Sequence, residues 1–221
     1  MNFTVAGFPA SWLWACGGLL AAFAVDVALH ARWRWLLDTT RLNLWLGTIV
    51  ALMVLWSIHA GLRPGLDFHL LGASACALMF GARLGLTAIG AVVLGSAAAG
   101  SLEWASLPLN LLVMGATPVL VSTAVLRAVE RWLPSHFFVY IFGVAFFGAA
   151  AAMVASGCVA CALLALSGRF TPEFLLSEYL PWYLLMAWAE AFLTGAAITL
   201  MVVYRPGWVI TFDDRRYLRD Q

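Results

Sequence analysis

The sequence predicts an all-α integral membrane protein of about seven transmembrane helices, with the N-terminus outside and the C-terminus cytoplasmic. Three observations lead there. The 221 residues are 64% hydrophobic and only 10% charged, whereas a soluble domain is roughly half apolar and a quarter charged. Apolar stretches of about 18 residues or more recur, each able to cross a hydrocarbon core of ~30 Å. No segment shows the ten-residue alternation of a membrane β-strand, and lipid then leaves only helices to satisfy the backbone.

Taken in order, the apolar spans read 10–29, 42–60, 69–82, 84–101, 107–128, 137–167 and 181–204. The third is short, so it is either a tilted helix, or 69–101 is one re-entrant hairpin broken at "GARLG" (81–85). Both alternatives return the chain to the same side. The sixth is longer than a crossing needs and is expected to tilt. Residues 1–204 thus form one polytopic membrane domain, and 205–221 a short cytoplasmic tail. The opening "MNFTVAGFPASWLW" lacks a basic n-region, which argues against a cleaved signal peptide.

Orientation follows from arginine, because all 12 basic residues are Arg. Arg32, Arg34, Arg41, Arg83, Arg127, Arg131, Arg205, Arg215, Arg216 and Arg219 fall on one side, and only Arg63 and Arg169 on the other. The richer side is cytoplasmic by the positive-inside rule. Trp12, Trp14, Trp104 and Trp182 mark the outer edge, and Trp33, Trp35, Trp132 and Trp208 the inner one. The net charge of +1 says nothing about nucleic acid, but no basic run exists to bind one, so none is expected as a partner. Small-residue runs such as "GSAAAG" and "FFGAAAAMVASG" suit close helix packing in lipid.

Polar residues inside such spans are costly and face the bundle interior. The stretch "GLDFHLLG" (65–72) places Asp67 and His69 at the outer mouth of the third span, near His59 at the end of the second. Asn110 lies one turn into the fifth span, and Glu190 nine residues into the seventh, ~13 Å below its outer end. These groups point to an outward-facing pocket. Each has a plainer alternative: His69 and Asp67 as a helix cap, His59 as an interfacial imidazole, Asn110 and Glu190 as interhelical hydrogen-bonding groups. Pro118 cannot donate to the Met114 carbonyl, leaving that oxygen free within the fifth span. Cys158 and Cys161 have metal-ligand spacing in an Ala-rich helix where packing explains them as well, and Cys16 and Cys76 are weaker still. Asp26 is expected to pair with Arg32 or Arg34. His136 is expected to be unremarkable, and the tail "FDDRRYLRD" either solvated or partner-contacting.

No HExxH, GxSxG or GxxxxGK[ST] motif is present, so neither an enzyme nor an ATPase is expected. Carboxylate, imidazole and thiol donors suit a divalent or soft transition metal better than an organic solute.

Four passages resemble the CbiM-type family, membrane substrate-binding components of energy-coupling-factor cobalt and nickel transporters: "GFPASWLW" (7–14), "HLLGASACALMFG" (69–81), "LPLNLLVMGATPVL" (107–120) and "AEAFLTGAAITLMVVYRP" (189–206). The tail "WVITFDDRRYL" is similar to that of a proteobacterial branch, which implies a bacterial inner membrane. The resemblance implies a seven-helix fold whose N-terminus folds back into the pocket. It also implies that His69 ligates the metal while Asn110 and Glu190 surround it. The family's second residue is a ligating histidine and here it is Asn2, so the α-amine of Met1, Asp67, His59 or the cysteines would have to compensate.

The resulting expectation is a component capturing a transition-metal cation for uptake, with metal candidates His69, Asp67, His59, Glu190, Met1 and Asn110. A cytoplasmic ATPase and a coupling transmembrane subunit would be its partners, and the metal its substrate. Two alternatives stand beside it: a non-transporting metal-holding or assembly factor with a decayed site, and capture of a small vitamin.

Overall fold

A computed structural model describes residues 3–4, 8–63 and 66–217. Among these, six helices are long and apolar enough to cross a membrane. We label them α1 (Ala10–His30), α2 (Thr39–Ser57), α3 (Ala73–Ala98), α4 (Trp104–Trp132), α5 (Val139–Leu166) and α6 (Pro172–Tyr204).

The six differ in how deeply they sit. Helix α1 buries only Cys16 and Val27, and α2 only Ile49, Leu52 and Trp56, so both keep broad apolar faces outward. Asp38 starts α2 by accepting the Arg41 N–H at 3.0 Å, an ordinary N-cap. Helix α3 is buried along most of its length. The densest contacts run between α5 and α6, where small residues let the helices close: a Cβ on Gly157 would strike the Tyr183 ring.

The third and fourth expected crossings form a re-entrant hairpin, the second alternative. Gly81 adopts φ 79°, ψ 165°, a left-handed turn open to glycine, and breaks α3 into limbs 73–80 and 82–98. The limbs lie side by side: a Cβ on Gly85 would come 2.8 Å from the Cys76 carbonyl oxygen. In a straight helix those residues would stand ~13 Å apart. The first limb is only ~12 Å long, well short of a crossing. In α4, Leu112–Ala116 is π-helical just before Pro118, where the missing N–H interrupts the regular ladder.

Between α2 and α3 a short antiparallel hairpin pairs Ala60–Arg63 with Leu66–Phe68, matching Ala60 with Phe68 and Gly61 with Asp67. The helix-cap reading of His69 and Asp67 does not hold, because α3 begins at Ala73 with Gly72 as its N-cap. Asp26 pairs not with Arg32 or Arg34 but with Arg83, which donates from Nε at 2.8 Å and Nη2 at 3.0 Å. The fold-back of α3 brings that arginine to the end of α1.

The tail folds against the bundle. Ile210 N–H donates to the Met79 carbonyl at 3.1 Å, and Thr211 N–H to the Leu78 carbonyl at 3.3 Å. Val209, Phe212 and Tyr217 are buried, Phe212 and Tyr217 stack against each other, and Arg216 pairs with Glu130 at 2.8 Å. The described part of the tail is thus the floor beneath the short limb of α3.

Candidate metal centre

The segment 68–72 leaves the hairpin and enters the bundle. Phe68 is buried against the rings of Tyr179 and Tyr183 on α6, at centroid separations of 5.1 and 5.4 Å. His69 follows, 5% exposed, with its ring 4.5 Å from that of Trp56 on α2. The Trp56 indole N–H donates to the Leu71 carbonyl at 3.1 Å. One aromatic residue thereby both covers the imidazole and ties down the backbone two residues later.

Glu190 completes this frame. Its side chain is 1% exposed. Leu71 N–H donates to Oε2 and Gly72 N–H to Oε1, each at 2.8 Å. Both oxygens act as acceptors, which suits a carboxylate. Gly72 has φ 64°, so the turn that aims its N–H at Glu190 is also one that favours glycine. Charge-assisted bonds of this kind contribute about 1.5–3 kcal/mol each.

Asn110 makes a second clamp. Its Oδ1 accepts the Phe3 N–H at 3.0 Å, and its Nδ2 donates to the Phe3 carbonyl at 3.1 Å. The same Nδ2 reaches the Ser106 carbonyl at 3.1 Å and the Ser106 hydroxyl at 2.9 Å. The amide holds the chain just after the N-terminus much as a neighbouring β-strand would. Arg169 supports it by donating from Nη1 to Thr4 Oγ1 at 2.8 Å.

The histidines differ from these clamps in having nitrogen to spare. His69 Nδ1 lies 3.0 Å from the Leu70 carbonyl oxygen. A carbonyl only accepts, so Nδ1 carries the proton and Nε2 the lone pair. Nε2 is buried with no hydrogen-bond partner among the described residues. His59 Nδ1 is placed in the same way, 3.1 Å from the Ser57 carbonyl, so its Nε2 is likewise the lone-pair atom. Both histidines line one cavity of about 180 Å³ between α2 and α3, with Ser57, Ser96 and Ser101 among its polar walls.

Of the described candidates, Asp67, Asn110 and Glu190 are not among that cavity's lining. Asp67 is half-buried on the hairpin, its Oδ1 so close to Gly61 that a Cβ there would come within 2.7 Å. Met1 and Asn2 lie outside the described residues. Cys161 is buried and Cys158 exposed, both beside an apolar pocket between α5 and α6. No group of three or more His, Cys, Asp or Glu side chains close enough to hold a metal ion occurs among the described residues. Trp56 and Ser106 were missed in the sequence. Ser106 at four residues before Asn110 is a spacing that could have flagged it, whereas nothing local marks Trp56.

Comparison with curated proteins and with solved structures finds no match. A family model described as "cobalt uptake substrate-specific transmembrane region" matches residues 5–208, nearly the whole chain. That span takes in the Glu190 and Asn110 clamps and both histidines of the cavity, and the chain therefore belongs to the CbiM family of cobalt uptake membrane components.

Proposed function

We propose that this protein captures a cobalt-like divalent transition metal at the His59–His69 cavity and delivers it to a multi-subunit uptake system. One observation carries the reading: a buried imidazole whose Nδ1 is tied to a carbonyl while its Nε2 lone pair meets no donor among the described residues. That is the preparation a metal-binding histidine needs, and neutral imidazole is a good ligand for cobalt or nickel. His69 is the central ligand and His59 a second at the more exposed mouth. Asp67 contributes as ligand or orienting partner. Glu190 and Asn110 hold the frame, and the Met1 α-amine, two residues before the clamped Phe3, is a further donor.

Ten arginines gather on the side of the tail. In a bacterial plasma membrane that side faces the cytoplasm, and the histidine cavity therefore faces outward. Without a phosphate-binding loop of its own, the chain relies on a cytoplasmic ATPase and a coupling transmembrane subunit. The cavity volume of about 180 Å³ falls below the ~300–1,000 Å³ of organic-ligand sites, which argues against a vitamin. Metal-holding without transport is the second reading. Asn2 in place of a ligating histidine favours it.

The test is metal content and affinity of the full-length protein in detergent for cobalt, nickel, copper, zinc and manganese. Wild type is expected to hold one metal per chain. His69→Ala should weaken binding beyond the roughly 10–100-fold that loss of an outer partner costs, and His59→Ala by less. A stable wild-type protein that binds none of the five would sink the capture reading.

A further inference from the structure

At the other end of the molecule, three cavities join into one trough along α1. The first, about 350 Å³, lies beside the Gly81 turn and is lined by Arg32, Arg83, Arg127 and Glu130. The second, about 450 Å³, shares Arg83 and Arg127 with it and runs up between α1 and α4. The third, about 380 Å³, shares Phe23, Val27 and Leu86 with the second and is almost wholly apolar, reaching Leu20 and Gly90. The trough is therefore cationic at one end and greasy at the other.

The charges at the cationic end are unequal. Asp26 is engaged by Arg83 and His30, and Glu130 by Arg216. Arg32 and Arg127 are exposed on the cavity wall and meet no carboxylate among the described residues. Two uncompensated guanidiniums flanking one cavity match a phosphate group, which accepts paired N–H donors. From His30, the last residue of α1, to Leu20 is ten residues of helix, or ~15 Å, about the depth of one leaflet's hydrocarbon.

We infer that this trough seats an anionic phospholipid, its phosphate between Arg32 and Arg127 and an acyl chain along α1 past Phe23 to Gly90. The charge pairing selects an anionic headgroup, and the apolar length distinguishes a lipid from a soluble anion. Basic pockets between helices on the arginine-rich side are where such headgroups bind.

The experiment uses the full-length protein in mild detergent, with native mass spectrometry after addition of phosphatidylglycerol or phosphatidylethanolamine. Three proteins are compared: wild type, the double variant Arg32→Gln/Arg127→Gln, and Gly90→Leu. A Cβ on Gly90 meets only Leu111, at 4.0 Å, so leucine enters the trough without a backbone clash. Wild type should retain one phosphatidylglycerol with clear preference over phosphatidylethanolamine. In the double variant that preference should fall roughly 30-fold, the effect of two arginines at a membrane surface. Gly90→Leu should lower occupancy by both lipids and leave the preference intact. Unchanged preference in the double variant, with thermal midpoints matched, overturns the proposal. So does full displacement of bound lipid by inorganic phosphate together with no effect of Gly90→Leu, which assigns the arginines to a soluble anion.

Discussion

The N–H groups at the N-terminal end of the half-helix 73–80 are held by one side chain, and the carbonyls at its C-terminal end largely by a length of backbone. Glu190 takes the Leu71 and Gly72 N–H groups above it. Below it, Ile210 and Thr211 give their N–H groups to Met79 and Leu78, and the Thr211 hydroxyl adds a bond to Leu78 at 2.8 Å. A helix ending inside a membrane protein must satisfy its terminal groups without water, so both ends face the same demand. The difference lies in how many residues share the task. The two N–H groups beside His69 depend on one substitutable group, whereas at the tail end two of the three bonds come from the main chain and survive most substitutions.

The largest effect should therefore come from Glu190→Ala. It leaves two buried N–H groups without acceptors, each costing about 1–3 kcal/mol, and opens a cavity besides. We expect a loss of about 4 kcal/mol, read as a fall of ~10 °C in the unfolding midpoint in detergent. Glu190→Gln retains one acceptor but turns an amide toward the other N–H, so its loss should be about half as large. Metal affinity should fall in both, because the 70–72 backbone no longer fixes the His69 ring. A Glu190→Ala protein as stable as wild type would remove the contrast between the two ends.

Asn110→Ala comes next, and it sharpens the comparison by breaking a side-chain clamp elsewhere in the site. Four hydrogen bonds disappear, but the Arg169–Thr4 bond still holds the segment. A cost of about 1–3 kcal/mol is expected. The telling measurement is hydrogen exchange. Peptides covering Phe3 should exchange about tenfold faster or more, while those covering 73–80 stay protected. Equal exchange at Phe3 in both proteins would mean that Asn110 does not anchor the N-terminal segment.

The sequence made these clamps legible only in part. Hydropathy alone located the long helices, since a run of apolar residues in lipid has one backbone solution. The glycines of "GARLG" marked the α3 fold-back as one of two options, and Gly81 with Gly85 is what decides it. Glu190 and Asn110 stood out because burying them is expensive, yet their partners are main-chain groups of Leu71, Gly72 and Phe3, which leave no trace in residue identity. The 60–68 hairpin was invisible for a related reason: its strands are too short to alternate, and burial of Phe68 among α6 tyrosines organises them. Asp26 was assigned to nearby arginines because sequence distance is a poor guide once a chain reverses. His59 and His69 could be listed as candidates, but only the fold brings both to one cavity.

The smallest effect should come from Thr211→Val, which tests the backbone end of the comparison. Valine matches threonine in shape and removes only the hydroxyl. That hydroxyl bonds both the Leu78 carbonyl and the Tyr140 hydroxyl, the latter at 2.7 Å. The Ile210 and Thr211 N–H bonds to Met79 and Leu78 remain, so no helix carbonyl there is left without a donor. The expected cost is about 1 kcal/mol, or ~2–4 °C in the unfolding midpoint. Metal affinity should stay at the wild-type value, because nothing on the His69 side has moved. A loss as large as that of Glu190→Ala would mean that the threonine hydroxyl, and not the main chain, holds the tail beneath the limb. The two ends would then be equally dependent on a single side chain.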